Sequence, residues 1–192
     1  MKAKKSTNYD FITSLASARS FHDVAKACLA TYEETGKIKP TQVFVSATNY
    51  GLSIELYLKS ILVMHGETRI RGHMLDELYM KINETSRKRI EQYYNEMGGK
   101  DRRETLYLRA SLEGSQPTNK NKLPKRGVKL DQVIKNNRDM FVMYRYMFTK
   151  GRTKQWEYFF FEYGNLDLVA KALEKHAHEF LKDHESNKVN RT

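Results

Sequence analysis

Four groups of side chains in this chain have the types and spacings that chemistry uses. Glu55 and Lys59 stand four residues apart, a carboxylate and an ammonium on adjoining turns of a helix. Such a pair suits acid–base work, and it is also the favoured helical ion pair, worth about 0.2–0.5 kcal/mol. His73 follows Arg69 and Arg71. An imidazole beside guanidinium groups suits proton exchange near a phosphate, while the plainer role is capping or a hydrogen bond between helices. Arg138 and Arg145, seven residues apart, share one face if their helix is continuous. They would clamp a phosphate or an RNA backbone, with Asn137 as a hydrogen-bonding neighbour. The alternative is a solvated charged face on which Asp131 supports Lys135 at i,i+4 spacing. His176, His178 and His184 look like metal ligands. A two-ligand site on a helix wants i,i+4 spacing, so these side chains diverge, and neither a metal nor a cofactor is expected.

The remaining chemistry is electrostatic. Lys120, Lys122, Lys125, Arg126 and Lys129 are joined by Lys150, Arg152 and Lys154 beside Trp156 and Tyr158. Residues 98–154 carry 15 Lys/Arg against 5 Asp/Glu, a balance of +10 within a net charge of +11. Residues 1–97 balance at +3 and residues 155–192 at −2. An excess confined to the middle third points to an anionic partner, with RNA or another nucleic acid first. Lysines would neutralise phosphates while an aromatic ring stacks a base. The alternatives are a solvated loop that aids solubility, and a basic face that meets an acidic protein.

Helices must position the four groups named first. The apolar periodicity predicts a first helix over about 21–35, capped by Ser20, with Phe21, Val24, Ala25, Cys28 and Leu29 as its stripe. Gly36 stops it. A second helix over about 42–65 is apolar nearly all round, which makes it the centre of a bundle or part of a subunit interface. Gly51 in its middle costs about 1 kcal/mol against Ala, so a close helix approach is expected there. Further helices are expected over about 74–83, over 86–97 capped by Ser86, weakly over 104–112, over 130–149, and over 166–184 capped by Asn165. The aromatic run at 156–163 reads as a short strand or an extended packing segment. The expectation is an all-α fold, a bundle of five to six helices. One domain spans 19–185 and holds a basic loop at about 114–129, between an N-terminal arm, 1–18, and a tail, 186–192.

Composition narrows the class. A chain of 192 residues can bury a real core. No apolar run approaches the roughly 20 residues of a membrane span. The opening stretch is basic without an apolar centre, which predicts no secretory signal. The single cysteine, Cys28, forms no internal disulfide, reads as a buried helical thiol, and suits a reducing cytoplasmic setting. No Walker loop, dinucleotide fingerprint or nucleophile elbow occurs.

The segment from the second to the third helix resembles the HEPN superfamily of helical domains. The likeness rests on Ala47, Ile54-Glu55-Leu56, Leu58-Lys59 and Ile61-Leu62, then Gly72-His73-Met74-Leu75 and Leu78-Tyr79, with Phe141 and Arg145-Tyr146 later. The resemblance implies a small bundle that commonly forms a homodimer, in a defence or toxin–antitoxin setting. It also implies RNA as the substrate class, because catalytic members are metal-independent RNases that pair an Arg with a His a few residues on. Arg138 with Asp139 matches the start of that motif, but Met143, Tyr144 and Arg145 occupy the places where the His is expected. Tyr144 is a poor substitute, since an unperturbed phenol titrates near about 10. The expectation is therefore a binding protein without catalysis. A metal-independent RNase with an unusual proton donor, using Arg138, Tyr144 and Arg145, is the alternative.

Overall fold

A computed structural model describes residues 10–101, 104–108, 129–145 and 159–189. Among them run α1 (Phe11–Thr35), α2 (Pro40–Met64), α3 (Leu75–Lys81), α4 (Glu84–Glu96), α5 (Leu130–Asn136), α6 (Met140–Arg145) and α7 (Tyr163–Val189). Two three-residue strands, β1 (Leu106–Leu108) and β2 (Phe159–Phe161), pair antiparallel with Leu106 opposite Phe161. The fold is an all-α bundle with this small ribbon at its side. None of the described helices is long and apolar enough to cross a membrane.

α2 is the axis of the bundle, in contact with α1, α3, α6 and α7. Its buried Val43, Ala47, Tyr50, Ile54, Tyr57, Leu58, Ile61 and Leu62 face more than one side, which is why the helix reads as apolar nearly all round. Each fully buried Val, Leu or Ile side chain among them contributes about 1.5–3 kcal/mol. Ser46 donates its hydroxyl to the Ala25 carbonyl at 2.7 Å, tying α2 to α1. Gly51 supplies the expected close approach. A Cβ there would lie 2.9 Å from the Phe141 amide nitrogen and 3.2 Å from Met140 Cγ, so only glycine lets α6 settle against α2. α4 and α7 are joined by the hydrogen bond from Asn165 Nδ2 to the Tyr94 hydroxyl at 2.8 Å, and by Tyr93 donating to Glu179.

Several sequence expectations are corrected. The first helix begins ten residues before the expected position, so residues 11–18 belong to the domain rather than to an arm. The Asp10 carboxylate caps it by accepting from the Ile12 and Thr13 amides, and Ser20 instead donates to the Ala16 carbonyl within the helix. Its buried face runs through Leu15, Ala18, His22, Ala25 and Leu29, which leaves Val24 exposed and Cys28 half-buried. Gly36 ends the helix in a left-handed conformation at φ 67°, as expected. Asn83, not Ser86, caps α4, by accepting from the Ser86 amide at 2.9 Å. Residues 106–108 form a strand where weak helix was expected. α7 starts at Tyr163 and continues through residues 186–189 of the expected tail.

The helix expected over 130–149 breaks in two. Asn137 turns its side chain back to the Val133 carbonyl at 2.9 Å, and its backbone leaves the helical region at φ −112°, ψ 21°. Short polar side chains compete with the helical ladder in this way. The turn at 137–139 therefore separates Arg138 from Arg145, and no single helix face holds both.

Candidate functional site

Three elements meet around Glu55. The carboxylate projects from α2 and is 3% exposed. One turn on, Lys59 donates to Glu55 Oε1 at 2.7 Å, and His73 Nδ1 lies 2.9 Å from the same oxygen. That oxygen already accepts from an ammonium, so the ring serves it as a donor through Nδ1, which leaves Nε2 as the outward nitrogen. The His73 side chain is 54% exposed, and its ring centroid is 6.0 Å from that of Phe141 on α6. Gly72 sets the chain up for this. Its φ of 95° is a conformation side chains rarely adopt, and it delivers His73 to α2 just before α3 begins. Glu55 Oε2 is buried and has no hydrogen-bond partner among the described residues. His73 thus bridges helices, and the same geometry fixes an imidazole edge-out at the surface.

The turn between α5 and α6 joins this region. The Leu75 amide donates to the Arg138 carbonyl at 2.8 Å, which brings the Arg138 backbone within two residues of His73 along the facing strand of chain. The guanidinium reaches the first turn of α3, with Nε 3.6 Å from Asp76 and Nη2 3.4 Å from Glu77. Its charge is therefore already answered by two carboxylates. Exposed pairs of this kind are worth about 1 kcal/mol or less, so an incoming phosphate can compete for the arginine. Asn137 is different. It is buried and bonded to its own helix, so it makes no nucleic-acid contact from this position. Lys129 is exposed just before α5. Tyr144 and Arg145 lie on α6 with their side chains outside the described residues. Lys122, Lys125, Arg126, Arg152 and Lys154 fall wholly outside them.

His176 and His178 do not converge, and the His184 side chain lies outside the described residues. His176 is buried against α2 with its ring centroid 6.4 Å from that of His65, while His178 is exposed and reaches Glu174 at 3.8 Å. No group of three metal-binding side chains occurs among the described residues. Burial, with smaller contributions from His65 and Arg89, lowers the His176 imidazole to about 4, and its Nε2 has no hydrogen-bond partner among the described residues. His65 closes α2 and touches the Ser86 hydroxyl and the Asn83 amide at 3.2 Å each.

A second polar centre escaped the sequence. His22 on α1 donates through Nε2 to Asp167 on α7 at 2.8 Å, and Lys171 meets the other Asp167 oxygen at 2.6 Å. Burial alone would raise the Asp167 carboxyl, but hydrogen bonds from His22 and Lys171 together hold it below the usual carboxylate range. Beside it lies a cavity of about 240 Å³, with Tyr50, Tyr163 and Leu168 as its buried walls. No sequence signal joins residues 145 positions apart; only the i,i+4 spacing of Asp167 and Lys171 was there to find.

Comparisons with known proteins add no identity. No family model matches the chain, and neither do any curated protein or any solved structure.

Proposed function

We propose that this chain is a HEPN-like helical protein that binds RNA, or a partner bearing nucleotides, and does not cut it. Charge distribution carries the reading. The Gly98–Lys154 segment holds 15 Lys/Arg against 5 Asp/Glu, while the rest of the chain is nearly balanced. The bundle answers many of its own charges, as in Arg19 with Glu174, Lys88 with Glu84 and Lys175 with Glu96. The basic excess is therefore a property of one segment and not of the whole surface, which supports contact with a phosphate backbone. Sequence-specific base readout is no part of this reading. The family resemblance adds a homodimer and a defence or toxin–antitoxin setting.

The test is affinity for single-stranded RNA as salt rises from 50 to 200 mM. Five phosphate contacts would weaken binding roughly 100-fold over that range. Replacing Lys122, Lys125, Arg126 and Lys129 together by Gln is expected to remove most of that dependence. Affinity that is absent, or insensitive to salt, sinks the reading in favour of an acidic protein partner.

One observation favours a second reading, metal-independent RNA cleavage. A buried carboxylate orients His73 with its Nε2 outward, beside the turn that carries Arg138. An imidazole so held exchanges protons while a guanidinium steadies a phosphate. The histidine lacking near Arg138 in sequence would then come from a different element. Cleavage in the presence of a chelator, lost in both His73→Ala and Arg138→Ala, is the expected sign. RNA left intact by the folded protein removes this reading and leaves the binding one standing.

A further inference from the structure

We propose that the cavity between α1, α2 and the start of α7 binds a small organic cation, an ammonium or guanidinium compound whose head sits between Glu33 and Glu104. This site is independent of the nucleic-acid reading.

The walls are built for it. Tyr50 and Tyr163, 1% and 5% exposed, line the cavity. Glu33, Glu104 and Lys26 line the same space without an ion pair among the described residues. Their positions differ along the helices. Lys26 and Glu33 are seven residues apart on α1, two turns or about 10 Å along its axis. Asp167, the remaining carboxylate of the lining, is answered by His22 and Lys171. The Gly164 amide donates to the Glu104 carbonyl at 3.1 Å, which holds that residue against the first turn of α7 beside Tyr163. Two carboxylates with no ion pair among the described residues thus line the cavity together with Tyr163, which itself meets Tyr32 edge-on at 6.5 Å.

Carboxylates beside aromatic faces are the combination that recognises organic cations, since the ring quadrupole adds to the ionic attraction. The local field has the required sign. Burial first, then Glu104 and Glu33, push the Tyr163 phenol up to about 12. Burial, then Asp167 and Glu33, also raise the Tyr50 phenol. A cavity of about 240 Å³ is below the size of a drug-sized ligand site, so the occupant is small.

The net charge of +11 makes the experiment discriminating, because the chain as a whole repels cations. Agmatine is titrated into the full-length protein by calorimetry, with glutarate as the anionic counterpart. Saturable agmatine binding is expected, with an affinity at least tenfold weaker in the Glu33→Gln, Glu104→Gln double variant. Both positions are exposed, so the variant keeps its core, which circular dichroism verifies. Three results overturn the proposal: no saturable agmatine binding, equal affinity in the double variant, or equal binding of glutarate.

Discussion

Acidification from pH 7 to pH 4 tests the packing of α7 against α2 through one side chain, His176. Its imidazole is 8% exposed, and its Nε2 lacks a hydrogen-bond partner among the described residues, so the protein holds it neutral. Burial lowers its pKa from 6.5 to about 4, with His65 and Arg89 adding repulsion. In the unfolded chain the ring protonates near 6.5, so between pH 6.5 and 4 the unfolded state binds more protons. The stability contributed by the neutral ring is complete above pH 6.5 and is lost as pH falls towards 4. At 1.36 kcal/mol per pH unit, the loss approaches about 3 kcal/mol. For a chain of this size that corresponds to a fall in Tm of roughly 6–12 °C. The His65 imidazole is also lowered by burial and acts in the same direction. Urea denaturation at half-unit pH steps, on wild type and on His176→Leu, separates the two. The variant is expected to lose most of the slope between pH 6.5 and 4 and to keep a smaller part from His65. Identical slopes in the two proteins, or stability that rises towards pH 4, would refute the buried neutral imidazole.

Gly51→Ala drives a Cβ to 2.9 Å from the Phe141 amide. The overpacking cost of about 1–3 kcal/mol outweighs the helix-propensity gain of about 1 kcal/mol, so the urea midpoint should fall. Asp167→Asn removes the charge that partners His22 and Lys171, with an expected loss of about 1–3 kcal/mol at pH 7. Because the folded Asp167 carboxyl lies below its ordinary 3.8, its contribution is present above that value and is lost as pH falls through the folded one. The gap between wild type and Asp167→Asn should therefore stay constant from pH 7 to 5 and close only in stronger acid. Glu55→Leu leaves Lys59 without its carboxylate and, with no acceptor left at this position, frees the His73 ring. The His73 side-chain NMR signals are expected to move to those of an unconstrained imidazole, and unchanged signals would remove Glu55 as the group that orients it.

Periodicity and stop signals in the sequence determined the bundle. Stepwise apolar residues marked the central helix, and Gly36 and Gly51 marked a helix end and a close approach, because these are local consequences of backbone geometry. The pairing of Glu55 with Lys59 was equally local, one helical turn apart. The tertiary structure alone decided the rest. It turned His73 onto the buried Glu55 through the left-handed Gly72, and it broke the Arg138 helix at Asn137. It gave the Arg138 guanidinium to Asp76 and Glu77, joined His22 to Asp167 across 145 positions, and opened a cavity between α1 and α7. A chain's local pattern states which residues will be helical and which face turns inward. It holds no record of which distant side chain will arrive at a given carboxylate, because that depends on how the packed helices are rotated and offset against one another.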